Sequence, residues 1–227
     1  MRKYLIANWK SNKNLAEAML WSEQCSSLQF DSEQTLVIVA PPSPLVEPVR
    51  SALPITMALA VQDLSPFPAG SYTGAVAART VADLVSYAIL GHSERRRYFG
   101  ETHQTVAQKV TQAVAAGITP VVCVDQEYIS QQAAAIETEL LSKCVVAYEP
   151  LAAIGTGNNV SVDTVEAAAQ EIKAAFGTVP VLYGGSVTPE NVGEYLLVTD
   201  GVLVGGASLD AEKFAKLVTQ SEARLQK

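Results

Sequence analysis

Short apolar runs recur along this chain, each followed by a longer stretch in which apolar and polar positions mix at helical spacing. The runs are Tyr4–Ala7, Thr35–Ala40, Ile55–Val61, Tyr87–Leu90, Thr119–Val124, Cys144–Tyr148, Val179–Tyr183 and Val202–Val204. Most are apolar throughout and do not alternate, the pattern of strands buried on both faces of a parallel sheet. Between them lie helical patterns with recognisable ends. Asn14 is placed to cap a helix running through Leu15, Met19 and Leu20, and Thr102 to cap one carrying Val106, Val110 and Val114 that stops near Gly117. Ser161 opens a helix that ends at Gly177. Thr188-Pro189 reads as a cap followed by proline at the first helical position, and Asp210 opens a last helix with Phe214, Leu217 and Val218.

Eight strand-plus-helix units in strict order predict an α/β fold, a (β/α)8 barrel spanning residues 1–227 as a single domain. An open doubly wound sheet is the structural alternative. That fold carries a glycine fingerprint after its first strand, where this chain has Asn8-Trp9-Lys10.

Composition narrows the function classes. With 48% hydrophobic and 17% charged residues the chain can bury a sizeable core, which argues against disorder. The net charge of −7 offers no basic stripe for nucleic acid. The basic run Arg95-Arg96-Arg97 reads as a solvated or ion-paired helix face. No stretch approaches the roughly 18 apolar residues of a membrane span, and the apolar run after Met1-Arg2-Lys3 is too short for a secretory leader. The three cysteines include no Cys-x-x-Cys pair, and Cys123 and Cys144 sit inside apolar runs. A cytoplasmic location is therefore expected, with no metal and no cofactor.

In a barrel of this class the active site lies at the C-terminal ends of the strands. Asn8 and Lys10 follow the first predicted strand, His92, Ser93 and Glu94 the fourth, and Glu149 the sixth. Gly184-Gly185-Ser186 follows the seventh and Gly205-Gly206 the eighth. Any one of these is weak evidence. On one rim they supply a carboxylate base, an imidazole, a cation and backbone donors for an anion. A helix start directly after His92 would also favour the neutral imidazole.

The segments Asn8-Trp9-Lys10, Gly91-His92-Ser93-Glu94-Arg95-Arg96, Ala147-Tyr148-Glu149-Pro150, Ala153-Ile154-Gly155-Thr156-Gly157, Tyr183-Gly184-Gly185-Ser186 and Val204-Gly205-Gly206-Ala207-Ser208 resemble the triosephosphate isomerases, in order and in spacing. The resemblance covers essentially the whole chain. It implies interconversion of dihydroxyacetone phosphate and D-glyceraldehyde 3-phosphate, with triose phosphates as substrates. It casts Glu149 as the base, His92 as the group that polarises the carbonyl, Lys10 as the cation for the enediolate, and Asn8 as a hydrogen-bonding neighbour. Gly155, Ser186, Gly205 and Gly206 would meet the phosphate. Ser93, Glu94 and Cys123 would support the site, and Tyr183 would latch a closing loop over residues 150–160. Tyr72, Thr73 and Gly74 match a loop that reaches into a second subunit, which implies a homodimer.

The chain departs from the family pattern in places. Pro150-Leu151-Ala152 lacks the tryptophan common after the proline, and Asn158 replaces a frequent lysine. Asp125-Gln126-Glu127 stands where Gly-Glu and a longer charged loop are usual, and Ser11 where methionine is common. A simplified lid follows from the first three. Another phosphosugar enzyme on the same barrel, or a non-catalytic relative, would be expected to lack at least one of Asn8, Lys10, His92 and Glu149, and none is missing.

Overall fold

The computed structural model describes residues 2–150 and 160–225. Its strands are β1 (Lys3–Asn8), β2 (Thr35–Ala40), β3 (Ala58–Val61), β4 (Tyr87–Leu90), β5 (Thr119–Val124), β6 (Val145–Tyr148), β7 (Val181–Tyr183) and β8 (Gly201–Val204). Its helices are α1 (Leu15–Cys25), α2 (Val46–Ala52), α3 (Ala78–Val81), α4 (Ser93–Phe99), α5 (His103–Ala115), α6 (Ile129–Ala135), α7 (Thr138–Leu141), α8 (Val162–Phe176), α9 (Val192–Val198) and α10 (Ala211–Leu225). The strands close in sequence order into a parallel barrel, with β8 returning to β1. That is the predicted (β/α)8 fold.

Strand alternation divides the core in two. Inside the barrel lie Ile6, Ile38, Ala60, Ile89, Val121, Cys123, Val145, Ala147, Leu182 and Leu203. The intervening residues, such as Leu5, Val37, Leu59, Leu90, Val122 and Val146, face outward onto the helices. Each strand is buried on both faces, which is why its sequence does not alternate in polarity. Tyr4 and Tyr87 meet edge-to-face, with ring centroids 6.3 Å apart, among the residues packed against the inner cluster.

The caps predicted at Asn14, Thr102, Ser161 and Asp210 form. Asn14 and Glu17 make a reciprocal capping box at α1, and the Thr102 and Ser161 side chains accept the Thr105 and Thr164 N–H groups at α5 and α8. Asp210 Oδ1 accepts the Lys213 N–H at 2.8 Å in the first turn of α10.

Three expectations change in detail. Strand β3 begins three residues later than the run at Ile55, because Met57 N–H bonds back to Pro54 O at 3.0 Å and leaves Ile55 81% exposed. The segment from Thr188 to Asn191 is a turn and not a helix start. The Asn191 and Val192 N–H groups both go to Thr188 O, and α9 begins at Val192. In α1 the predicted Leu15, Met19 and Leu20 are exposed, and the helix buries Ala18, Trp21 and Cys25 instead. The indole of Trp21 decides that orientation. It lies 4.9 Å from Trp9 and 5.6 Å from Phe214, centroid to centroid, and its Nε1 donates to Ser208 O.

Candidate active site

Side chains two apart on a strand share a face, so the residue two beyond an inward-facing one points into the barrel mouth. Ile6 leads to Asn8, Ala147 to Glu149, Leu182 to Gly184 and Leu203 to Gly205. All four destinations line one cavity of about 320 Å³, together with Lys10, His92, Ser186, Gly206 and Ala207. That size is at the lower end for a small-molecule site.

Lys10 holds a positive φ of 52°, a conformation that costs a residue with a side chain on the order of 1–3 kcal/mol. Two side chains hold it there. Asn8 Oδ1 accepts the Lys10 N–H at 3.0 Å, and Gln62 Nε2 donates to Lys10 O at 2.9 Å and to Ala40 O at 2.8 Å. The Lys10 ammonium projects toward the site and meets Glu94 Oε1 at 2.6 Å. Gln62 does not figure in the sequence reading. Its signal was its position two residues after the inward-facing Ala60, the same rule that finds Asn8 and Glu149.

His92 caps α4 with its ring. Its Nδ1 accepts the Glu94 backbone N–H at 3.2 Å, so Nδ1 carries no proton. That leaves Nε2 to carry the proton of the neutral ring, and Nε2 lies 3.1 Å from Glu149 Oε1. The other Glu149 oxygen, Oε2, accepts the Ser93 backbone N–H at 2.9 Å. Glu149 is 1% exposed and its own N–H goes to Val124 O at 2.8 Å. A buried carboxylate without partners would be costly, and the Ser93 N–H supplies one, with the His92 ring at contact distance on the other side. Gly184 leaves room for it, since a Cβ there would come within 2.9 Å of Glu149 Cγ. Cys123 lies in the barrel interior near this carboxylate. Burial pushes its thiol well up, the Glu149 charge adds to that, and the group is a neutral filler.

The far end of the cavity is built from backbone. Gly206 opens a single 3-10 turn, Gly206–Ser208, and among the described residues no acceptor takes the Gly206 or Ala207 N–H groups. Amides at the start of such a turn are a ready cradle for an anion. Across from them, Asn191 ties the loop after β7. Its Oδ1 accepts the Thr188 N–H at 2.8 Å and its Nδ2 donates to Ser186 O at 3.0 Å. Gly155 and most of the loop over residues 150–160 lie outside the described residues. Tyr183 is fully buried with its ring 4.1 Å from Tyr195, whose hydroxyl donates to Val160 O at 2.9 Å.

The three consecutive arginines have separate fates. Arg97 is exposed, and Arg96 turns inward. Arg95 joins Asp63, Glu101 and Lys109 in an ion cluster, contacting Asp63 at 2.8 Å. Burial raises the Asp63 carboxyl while Lys109 pulls it down. The loop carrying Tyr72, Thr73 and Gly74 stands away from this cavity. It is exposed, and Phe67 and Tyr72 stack on it at 4.5 Å and 9°.

Comparison with known proteins gives one answer throughout. The sequence model of the triosephosphate isomerase family matches residues 3–221. The triosephosphate isomerase of Dehalococcoides mccartyi strain BAV1 is 38% identical, covering 97% of each chain. That of Thermus thermophilus is also 38% identical, over 96% of this chain and 98% of its own. The enzyme of Francisella tularensis subsp. mediasiatica is 32% identical over 97% and 98%.

Proposed function

That the chain belongs to the triosephosphate isomerase family is the premise from which we propose how its site works. The chain is an isomerase that interconverts dihydroxyacetone phosphate and D-glyceraldehyde 3-phosphate. In our reading Glu149 removes the proton from the carbon beside the carbonyl. An enediolate forms, and Glu149 returns the proton to the neighbouring carbon. His92 presents its Nε2–H to the carbonyl oxygen and then serves as the shuttle between the two oxygens. For this, the substrate carbonyl displaces Glu149 from Nε2. Lys10 sets its ammonium against the developing negative charge, and Asn8 holds both the Lys10 backbone and one edge of the cavity.

The phosphate lies at the glycine end, on the amides of Gly205, Gly206 and Ser186, and the family resemblance adds Gly155, which lies outside the described residues, to that set. Ser93 supports Glu149 through its N–H, and Glu94 holds the Lys10 ammonium. Tyr183 supports the loop that ends at Val160. The observation that carries this reading is the His92 ring. With Nδ1 accepting a backbone N–H, it is a neutral donor aimed at the one buried carboxylate of the cavity.

We also infer that the chain works as a homodimer in the cytoplasm, folded as one domain. Two features support the dimer. The Phe67–Tyr72 stack is exposed at 44% and 42%. A second cavity of about 310 Å³ opens beside the first, between Ser11, Pro44, Gln62 and Phe99, and shares Asn8, Lys10 and His92 with it. No described helix is long and apolar enough to cross a membrane.

A coupled assay with each triose phosphate tests the assignment of the base. Glu149→Asp retracts the carboxylate by one methylene, and a misplacement of roughly 1 Å costs about 100-fold in turnover. The expected result is that loss in kcat with little change in KM. Parent-like turnover in the variant would remove Glu149 from the role.

A further inference from the structure

Arg96 is a cation whose acceptors are all neutral. Its Nε donates to Gly91 O at 2.7 Å, and its Nη2 to Gln132 Oε1 at 2.8 Å and Cys123 O at 3.2 Å. Its Nη1 lies 3.2 Å from His103 Nδ1, and the guanidinium stands 4.7 Å over the Tyr128 ring. A part-buried arginine ordinarily pairs with a carboxylate. Among the described residues Arg96 has none within ion-pair distance, although Arg95 beside it has two. Its socket is preformed, because Gln132 is fully buried and its Nε2 donates to His103 O at 3.2 Å.

The two carbonyls it reaches are next to the reacting groups. Gly91 immediately precedes His92 and turns with φ 69°. A Cβ at Gly91 would lie 2.7 Å from Arg96 Nη2, so the guanidinium rests flush on that turn. The Arg96 backbone N–H also donates to His92 O, at 3.1 Å. On the other side, Cys123 pairs with Ala147 across β5 and β6, and the next carbonyl, Val124 O, holds the Glu149 N–H. One planar side chain thus spans the end of β4, which carries the imidazole, and the end of β5, whose Val124 O holds the backbone N–H of Glu149 after β6.

We propose that Arg96 is a positioning residue for the isomerisation, a brace that fixes the His92 ring and the Glu149 carboxylate at proton-transfer distance. The proposal rests on the roles given to those two residues above. A lysine cannot take its place, because a single ammonium on a flexible stem does not hold carbonyls at the ends of two neighbouring strands in a fixed plane. Removing the fork lets the turn at Gly91 and the end of β5 relax independently, and a drift of about 1 Å between imidazole and carboxylate costs about 100-fold. The phosphate amides belong to other strands and are untouched.

The test uses the full chain with Arg96→Lys and Arg96→Ala, with Arg97→Lys on the exposed side of the same helix as control. Both Arg96 variants should lose kcat while KM and the affinity for 2-phosphoglycolate stay at the parent's values. Added methylguanidinium should restore turnover to Arg96→Ala, and methylammonium at equal ionic strength should not. Parent-like kcat in Arg96→Lys would overturn the proposal. So would a joint loss of kcat, phosphoglycolate binding and thermal stability that guanidinium does not repair, which marks a stability contact only. The parent is assayed alongside, so a failure of the isomerase reading itself shows separately, as an inactive parent.

Discussion

His92 shows how much chemistry one hydrogen bond can fix. An imidazole has two nitrogens, and the backbone N–H that enters Nδ1 leaves only Nε2 to carry the proton into the cavity. In His92→Asn an amide donor remains near that place, but no aromatic ring can relay a proton between two oxygens. We expect His92→Asn to slow turnover severely and to bind 2-phosphoglycolate with nearly the parent's affinity, measured by calorimetry. Lost inhibitor binding with turnover intact would make His92 a structural residue. Lys10 is the matching case for the backbone. Its positive φ would be unfavourable in isolation, and the Asn8 and Gln62 amides hold it from both ends.

At the scale of elements, the helices are set by their ends and oriented by their large side chains. The reciprocal pair Asn14 and Glu17 closes the start of α1, with contacts of 3.0 and 2.8 Å. Replacing such a cap by alanine costs about 1 kcal/mol. Asn14→Ala should therefore lower the guanidinium chloride midpoint by a corresponding amount and leave kcat unchanged, since Asn14 contacts nothing in the cavity. An unchanged midpoint would show that Trp21 packing alone holds α1 in place. The turn after β7 gives the contrary lesson. Pro189 marks a helix start in sequence, yet Asn191 turns its amide back onto Thr188 and Ser186 and delays α9 to Val192. There the side-chain bonds of the loop itself override the local cap.

At the scale of the molecule, the barrel brings to one mouth residues that lie far apart in the chain. Asn8 and Gly206 line the same cavity because β8 closes on β1. The same end of the barrel carries an exposed aromatic stack and a second cavity that shares Asn8, Lys10 and His92 with the first. Phe67 and Tyr72, stacked and left nearly half-exposed together, suit a surface that a partner covers. Sedimentation at micromolar concentration is expected to give a dimer, and Phe67→Ala with Tyr72→Ala is expected to weaken it. A fully active monomer would refute the pairing.

Period and punctuation in the sequence were enough for the fold. Eight apolar runs too short for helices, each followed by an amphipathic stretch, several of them with a readable cap, leave a parallel closed sheet as the arrangement that buries every strand on both faces. The rim residues Asn8, His92 and Glu149 were legible for the same reason, since strand ends can be read from where apolar runs stop. What the sequence could not carry was direction about an axis. Arg95, Arg96 and Arg97 are one run of like residues, and only the packed structure sends the first to an ion cluster, the second to two carbonyls behind the site and the third to solvent. Leu15, Met19 and Leu20 likewise suit a buried stripe until Trp21 takes the inner face beside Trp9 and Phe214. The physical reason is common to both. Local pattern sets which backbone conformation is favoured, whereas the rotation of a helix is set by contacts with residues distant in sequence, and those exist only after the barrel has closed.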